Sequence, residues 1–76
     1  MNSRLRHIAL TETQTRNYRV SRYYAGSRRI AQATFNAIKW AAELDSLATT
    51  NRAGVRRFHC VARISPTVLR SISPAL

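Results

Sequence analysis

The stretch VRRFHCVARIS, Val55 to Ser65, alternates between two kinds of side chain. One side is apolar and holds Phe58, Cys60, Ala62 and Ile64. The other side is mostly basic and holds Arg57, His59, Val61 and Arg63. Because successive side chains of a strand point to opposite faces, this alternation predicts a half-buried β-strand with a core face and a charged face. Arg56 falls on the apolar side, at the exposed beginning of the strand.

Neighbouring His59 and Cys60 do not suggest a catalytic pair. Their side chains would project to opposite faces of the strand, so the histidine could not act as a base on the thiol. Free cysteine is among the most buried residue types, and Cys60 is therefore expected to be a small core residue. One cysteine and two histidines, with His7 far away in sequence, lack the paired spacing of a zinc site. We expect neither a metal nor a cofactor.

Before this strand, the sequence predicts one long helix from Arg28 to about Ala48, with Ser27 as its N-cap. At about 100° per residue, one narrow stripe is polar and contains Arg28, Gln32, Asn36, Lys39, Glu43 and Ser46. The opposite arc is broad and apolar and contains Ile30, Ala33, Ala37, Ile38, Trp40, Ala41, Leu44, Leu47 and Ala48. Such a helix is expected to be a central packing element. The TTNRAG segment, Thr49 to Gly54, is predicted to be a loop.

Two shorter extended patterns precede the predicted helix, at Arg6 to Glu12 (RHIALTE) and Asn17 to Tyr24 (NYRVSRYY). In the second, one face holds Tyr18, Val20 and Tyr24, interrupted by Arg22. The other face, which we expect to be open, holds Arg19, Ser21 and Tyr23. After the last strand, Ser65 and Pro66 read as N-cap and first residue of a short helix that ends near Ile72.

These elements predict a single small basic domain over residues 1–76 of the α+β class. A small antiparallel sheet in ββαβ order would pack on one long central helix, followed by a short C-terminal helical turn. Residues 73–76 are expected to fray. An all-helical fold is the main alternative. Only about 60% of the unfolded surface can be buried in so short a chain, so the core should be thin.

The charge of the chain points to a polyanion as partner. Thirteen basic residues, of which twelve are arginine, face only three acids, Glu12, Glu43 and Asp45, and the net charge is +10. Arginine binds phosphate in a bidentate manner, and tyrosine can stack on exposed bases. We therefore expect a non-enzymatic nucleic-acid-binding protein that favours RNA or single strands. The predicted contact residues are Arg19, Tyr23, Arg28, Arg29, Arg52, Arg57, His59 and Arg63.

Other functions remain open. A small basic protein could dock on another protein through Trp40 and Tyr24, as a subunit of a ribonucleoprotein or as a phage-type inhibitor of a host factor. A metal-independent ribonuclease could use His59 as acid or base with Arg57 or Arg63 beside it. Membrane-surface binding and a helix-turn-helix are less well supported, because the predicted long helix has few basic residues.

A lone cysteine gives no disulfide framework, and no run approaches the roughly 20 apolar residues of a membrane span. We therefore expect an intracellular, cytoplasmic protein without a membrane span. An organellar location is the alternative, because Met1 to Trp40 is rich in arginine and poor in acids, as transit peptides are.

Overall fold

The structure, a computed structural model, describes residues 4–15 and 20–76. The described chain forms five strands and two helices. In chain order these are β1 (Arg6–Thr15), β2 (Val20–Ala25), β3 (Arg28–Ile30), α1 (Gln32–Ala41), β4 (Glu43–Arg52), β5 (Val55–Ile64) and α2 (Pro66–Ile72). The strands form one sheet in the order β3, β2, β1, β5, β4, and every neighbouring pair is antiparallel.

The core lies on one face of this sheet, under the two helices. In the centre, β1 pairs with β5 over their whole length, so that Leu10 lies beside Cys60 and Ile8 beside Ala62. The buried set is Ile8, Leu10, Ala25, Phe35, Ile38, Cys60, Ala62, Ile64 and Leu69. The predicted strand from Val55 to Ile64 and its core face are thus confirmed. We call the side of the sheet with the helices the helix side, and the other side the open face.

The predicted fold class is wrong, because there is no sheet packed on one long central helix. The described structure is 57% strand, with two short helices. Of the segment predicted as helix, only Gln32–Ala41 is helical, while Arg28–Ile30 forms β3 and Glu43 begins β4. In β4 the backbone pairs with β5 along most of its length. This pairing outweighs the helical preference of the local sequence, which is a weak determinant when tertiary contacts compete.

A tight turn stands where the helix was expected to begin. Ala25 pairs with Arg28 across a two-residue loop, Gly26 and Ser27, and Gly26 has φ +61°. Glycine adopts this left-handed conformation without steric cost, which suits it to the first position of such a hairpin loop. Ser27 therefore belongs to a β-turn and not to a helix cap; the residue at the N-cap of α1 is Ala31.

A β-bulge interrupts β4. Asp45 pairs with Val61 and Ala48 pairs with His59, so two residues, Ser46 and Leu47, stand opposite one. Ser46 has φ +55°, the left-handed conformation of the first residue of a G1 bulge, a position that glycine usually occupies. The extra residue resets the alternation of side chains. Beyond it, β4 places Thr50 and Arg52 on the open face.

The end of the chain carries the second helix. The short helix predicted from Pro66 to Ile72 is confirmed, with Pro66 in its first turn. After it, the Arg6 guanidinium donates a hydrogen bond to the carbonyl oxygen of Leu76 (2.8 Å), and Arg28 donates to that of Ala75 (3.0 Å). Leu76 also packs against the core. The fraying expected for residues 73–76 stays a prediction.

The helices cover only part of the sheet. The molecule measures 48 × 22 × 19 Å, and all buried strand residues lie towards the end at which β1 begins and β5 ends. Beyond them, the helix side carries Gln14, Thr49, Asn51 and Arg56, none of which is buried. We call this uncovered part, residues 13–15, 20–22 and 49–57, the distal half of the sheet. Within the described chain, neither helix is long and apolar enough to cross a membrane.

Candidate nucleic-acid interface

A groove runs along the open face, with the central strand β1 as its floor. The floor consists of short side chains, because β1 presents threonine at every second position of TETQT. Longer side chains rise from β2 on one side and β5 on the other. The lining residues are Thr11, Thr13, Thr15, Arg22, Tyr24, Gly26, Val55 and Arg57. We call this depression the open-face groove.

Two arginines face each other across this groove. Thr13 pairs with Arg22 of β2 and with Arg57 of β5, so all three side chains lie in one row across the sheet. Adjacent strands are about 4.8 Å apart, which separates the backbones that carry the two arginines by about 10 Å. One step along β1, Thr11 lies in the same way between Tyr24 and His59. The groove thus combines guanidinium groups, hydroxyl groups and one aromatic ring.

The acids of the open face are engaged at one corner of the sheet. The Arg63 guanidinium forms ion pairs with Glu43 (Nη2 to Oε2, 2.9 Å) and with Asp45 (Nε to Oδ2, 2.8 Å). The third acid, Glu12, lies on the helix side, because it pairs with Phe58. Two carboxylates more than neutralise Arg63, so this corner carries no excess of positive charge.

The remaining arginines of the open face keep their charge available. Arg22 and Arg57 form the walls of the groove, Arg29 lies beside Tyr24, and Arg52 lies beside Val55. No ion pair within residues 4–15 and 20–76 involves any of these four arginines. All four are exposed. The positive potential of the open face is therefore concentrated around the groove, away from Arg63.

The structure brings together part of the set predicted from the sequence. Arg29, Arg52, Arg57 and His59 share the open face, and Arg63 lies there too but is held by the two acids. Arg28 lies on the helix side, where it donates its hydrogen bond to Ala75. Arg19 lies outside the described residues.

Tyr23 does not lie on the open face, so the predicted faces of β2 are inverted. Its ring packs against Phe35, with centroids 4.9 Å apart and planes tilted by 53°. Tyr24, predicted as an anchor for a protein partner, lines the groove; its role as an anchor stays a prediction. Because Tyr23 and Tyr24 are adjacent and of the same type, the alternation of side chains does not indicate which of them faces the core. The register, which pairs Leu10 with Ala25, makes the choice.

The inversion brings in residues that the sequence analysis missed. Arg22 interrupted what was predicted to be the inner face of its strand, and this irregularity was the signal that the faces should be exchanged. The threonines of TETQT alternate as clearly as the residues of VRRFHCVARIS, but only Arg6 to Glu12 was predicted as the first strand. Because β1 continues to Thr15, the alternating threonines become the floor of the groove.

Two titratable residues of the helix side, Cys60 and Lys39, lie in or against the core. Cys60 is buried with 1% exposure, and desolvation raises the pKa of its thiol, an effect that the nearby charge of Lys39 partly offsets. The Lys39 ammonium lies 5.5 Å from the ring centre of Phe35 and 5.3 Å from that of Phe58, within cation–π range. In the described ranges, no three His, Cys, Asp or Glu side chains are grouped to hold a metal ion.

Comparison with known proteins gives this chain no relative: no family model matches it, and neither a curated protein nor a solved structure is significantly similar to it.

Proposed function

We propose that this protein is a non-enzymatic nucleic-acid-binding protein that holds RNA or another single strand in the open-face groove. The row Arg22, Thr13, Arg57 carries the proposal. It places two exposed guanidinium groups on either side of a hydroxyl group, on a face whose acids are engaged elsewhere.

The chemistry of this row suits phosphate. A guanidinium group donates two parallel hydrogen bonds to phosphate oxygens, and a threonine hydroxyl can add a third. Arg29 and Arg52 extend the positive charge beyond both ends of the row. Release of counterions from the polymer should then supply much of the affinity.

Tyr24 favours a single strand over a duplex. Its side chain lies in the groove one step from the two arginines, where it can stack on a base that is not engaged in pairing. In a duplex the bases are stacked inside the helix, and the ring would meet only backbone. Sequence-specific contact with RNA also relies mostly on unpaired bases that stack on aromatic or arginine side chains.

The test is fluorescence anisotropy with single-stranded RNA, single-stranded DNA and duplex DNA over a range of salt concentrations. The Arg22→Ala, Arg57→Ala double variant should bind single strands at least tenfold more weakly. Its logarithmic salt slope for single strands should fall by about 1.4, since each of the two phosphate contacts contributes about 0.7.

The matched control is the Arg4→Ala, Arg70→Ala double variant. It loses the same charge from residues that do not line the groove, and it should retain most of the affinity. Equal losses in the two double variants would mean that binding follows net charge alone. That result would refute the groove as the binding site.

A protein partner is the second candidate, and the exposure of Trp40 favours it. This side chain is 90% exposed on α1, and tryptophan is enriched among residues that anchor protein interfaces. A ribonucleoprotein subunit would use both surfaces. If docking dominates, Trp40→Ala should abolish co-purification with the partner, whereas the Arg22→Ala, Arg57→Ala variant should not.

A further inference from the structure

A second polar surface lies on the helix side of the distal half, behind the open-face groove. Gln14 pairs with Ser21 of β2 and with Arg56 of β5, and Arg56 pairs with Asn51 of β4. These four side chains form one row across four strands. We call Ser21, Gln14, Arg56 and Asn51 the tip row.

The tip row consists of residue types that recognise the edges of bases. Glutamine and asparagine can each donate to and accept from adenine, and arginine can bind guanine in a bidentate manner. Within residues 4–15 and 20–76, no side-chain hydrogen bond or ion pair engages Gln14, Asn51 or Arg56. Their hydrogen-bonding capacity is available to a ligand. A depression at this end is lined by all three, together with the hairpin turn.

The negative charge of Glu12 beside the tip row favours a base over a phosphate as the ligand there. Glu12 belongs to the adjacent row and lines a depression together with Gln14 and Arg56. Its carboxylate opposes the positive charge of Arg56 and would repel a phosphate there. A neutral base edge, which offers both donors and acceptors, meets no such repulsion. The groove on the open face has no carboxylate among its lining residues.

The turn between β4 and β5 leaves a path from one face to the other. Ala53 and Gly54 form the tip of the hairpin, and among residues 4–15 and 20–76 nothing lies within 4 Å of the space that a Cβ on Gly54 would occupy. Arg52 lies at this turn; its strand position is on the open face, and it also lines the depression of the tip row. A guanidinium group at the crossing point can follow a phosphate around the tip.

We propose that the tip row binds a base of the same single strand whose phosphates lie in the open-face groove, and that it gives the protein a base preference. The inference rests on the proposed function, since the strand reaches the tip row from the groove. It also defines the substrate class. A duplex has a persistence length of about 50 nm and cannot bend around one hairpin tip, whereas a single strand can.

The experiment measures affinity for single-stranded oligonucleotides of equal length that differ only in base, with inorganic polyphosphate as a base-free polyanion. The wild-type protein should bind the preferred base at least tenfold more tightly than the least preferred one. A good bidentate contact discriminates by about 1–3 kcal/mol, which corresponds to about 5- to 150-fold, and a tenfold preference lies within this range. Polyphosphate should bind through the groove alone.

The decisive variant is Gln14→Ala, Asn51→Ala, which leaves the net charge unchanged. It should reduce the base preference to less than threefold while affinity for polyphosphate stays within a factor of two. Arg56→Gln provides a second variant at the same site, which should lose any preference for guanine. Circular dichroism and thermal melts should show that each variant is folded, since the substituted side chains are not buried.

The outcomes separate this inference from the proposed function. Equal wild-type affinity for all bases, or a preference that survives both variants, would overturn the tip row as a base site while leaving the groove intact. A duplex bound as tightly as the single strands would overturn the path around the tip. If neither oligonucleotides nor polyphosphate bind, or if the Arg22→Ala, Arg57→Ala variant and the Arg4→Ala, Arg70→Ala control lose affinity equally, the proposed function fails and this inference fails with it.

Discussion

Phe35 and Trp40 show how differently two aromatic residues of one short helix can contribute. Phe35 is fully buried against Tyr23, and Trp40 is 90% exposed. We expect Phe35→Ala to reduce the free energy of unfolding by about 3–5 kcal/mol, because it removes a large side chain from a small core. Trp40→Ala should change it by less than about 0.5 kcal/mol. Urea denaturation of both variants tests this contrast, and equal losses would contradict it.

The buried thiol of Cys60 should make stability depend on pH in alkaline solution. Burial raises its pKa above the ordinary value of 9.0, so the unfolded chain loses this proton at lower pH than the folded protein does. The contribution is fully present below pH 9.0 and is lost as the pH rises through the raised pKa. Urea midpoints of wild type and Cys60→Ala, measured between about pH 8 and 10.5, should converge as the pH rises. A constant difference would rule this out.

At the scale of elements, the hairpin turn between β4 and β5 contains backbone strain at Ala53, which a substitution should relieve. Ala53 has φ +53° and Gly54 has φ +76°, as a two-residue type I′ loop requires. Glycine suits this conformation and alanine does not. Ala53→Asn should raise the free energy of unfolding by about 0.5–1 kcal/mol, because asparagine tolerates the left-handed region. Ala53→Val should lower it, since a β-branched residue is worse there. A thermal melt in which valine matches asparagine would contradict this explanation.

The sequence predicts the elements whose local residue pattern identifies them, but not those that form only because one strand pairs with another. The alternation of side chains from Val55 to Ile64 was sufficient to predict β5, and the Ser-Pro pair was sufficient to predict the start of α2. The segment after α1 offers no glycine or proline to end a helix, and Leu44, Leu47 and Ala48 recur at helical spacing. The bulge hides the alternation of a strand, because one extra residue breaks the period of two. The candidate site was predicted in part for the same reason: Arg57 belongs to the readable strand, whereas Arg22 depends on a register that only the core selects.

At the scale of the whole molecule, uncompensated charge should make salt stabilising. The chain has a net charge of +10 and a thin core. Within the described ranges only two ion pairs occur, both at Arg63. Screening shortens the Debye length from about 30 Å at 0.01 M to about 3 Å at 1 M ionic strength, which weakens the self-repulsion. The melting temperature should therefore rise across this range. A fall would mean that attractive charge pairs dominate the folded state.

The uneven cover of the sheet has a consequence for how the molecule opens. Amide protons in the half under the helices are protected by a packed core, whereas those of the distal half rely on strand pairing with water on both faces. Hydrogen exchange should therefore be graded along β1 and β5, slow near Leu10 and Ala62 and fast towards Thr15 and Val55. Local opening of this kind would let the proposed binding end adjust to a ligand while the opposite end stays folded. β1 and β5 would then each be rigid at the end under the helices and adaptable at the other end.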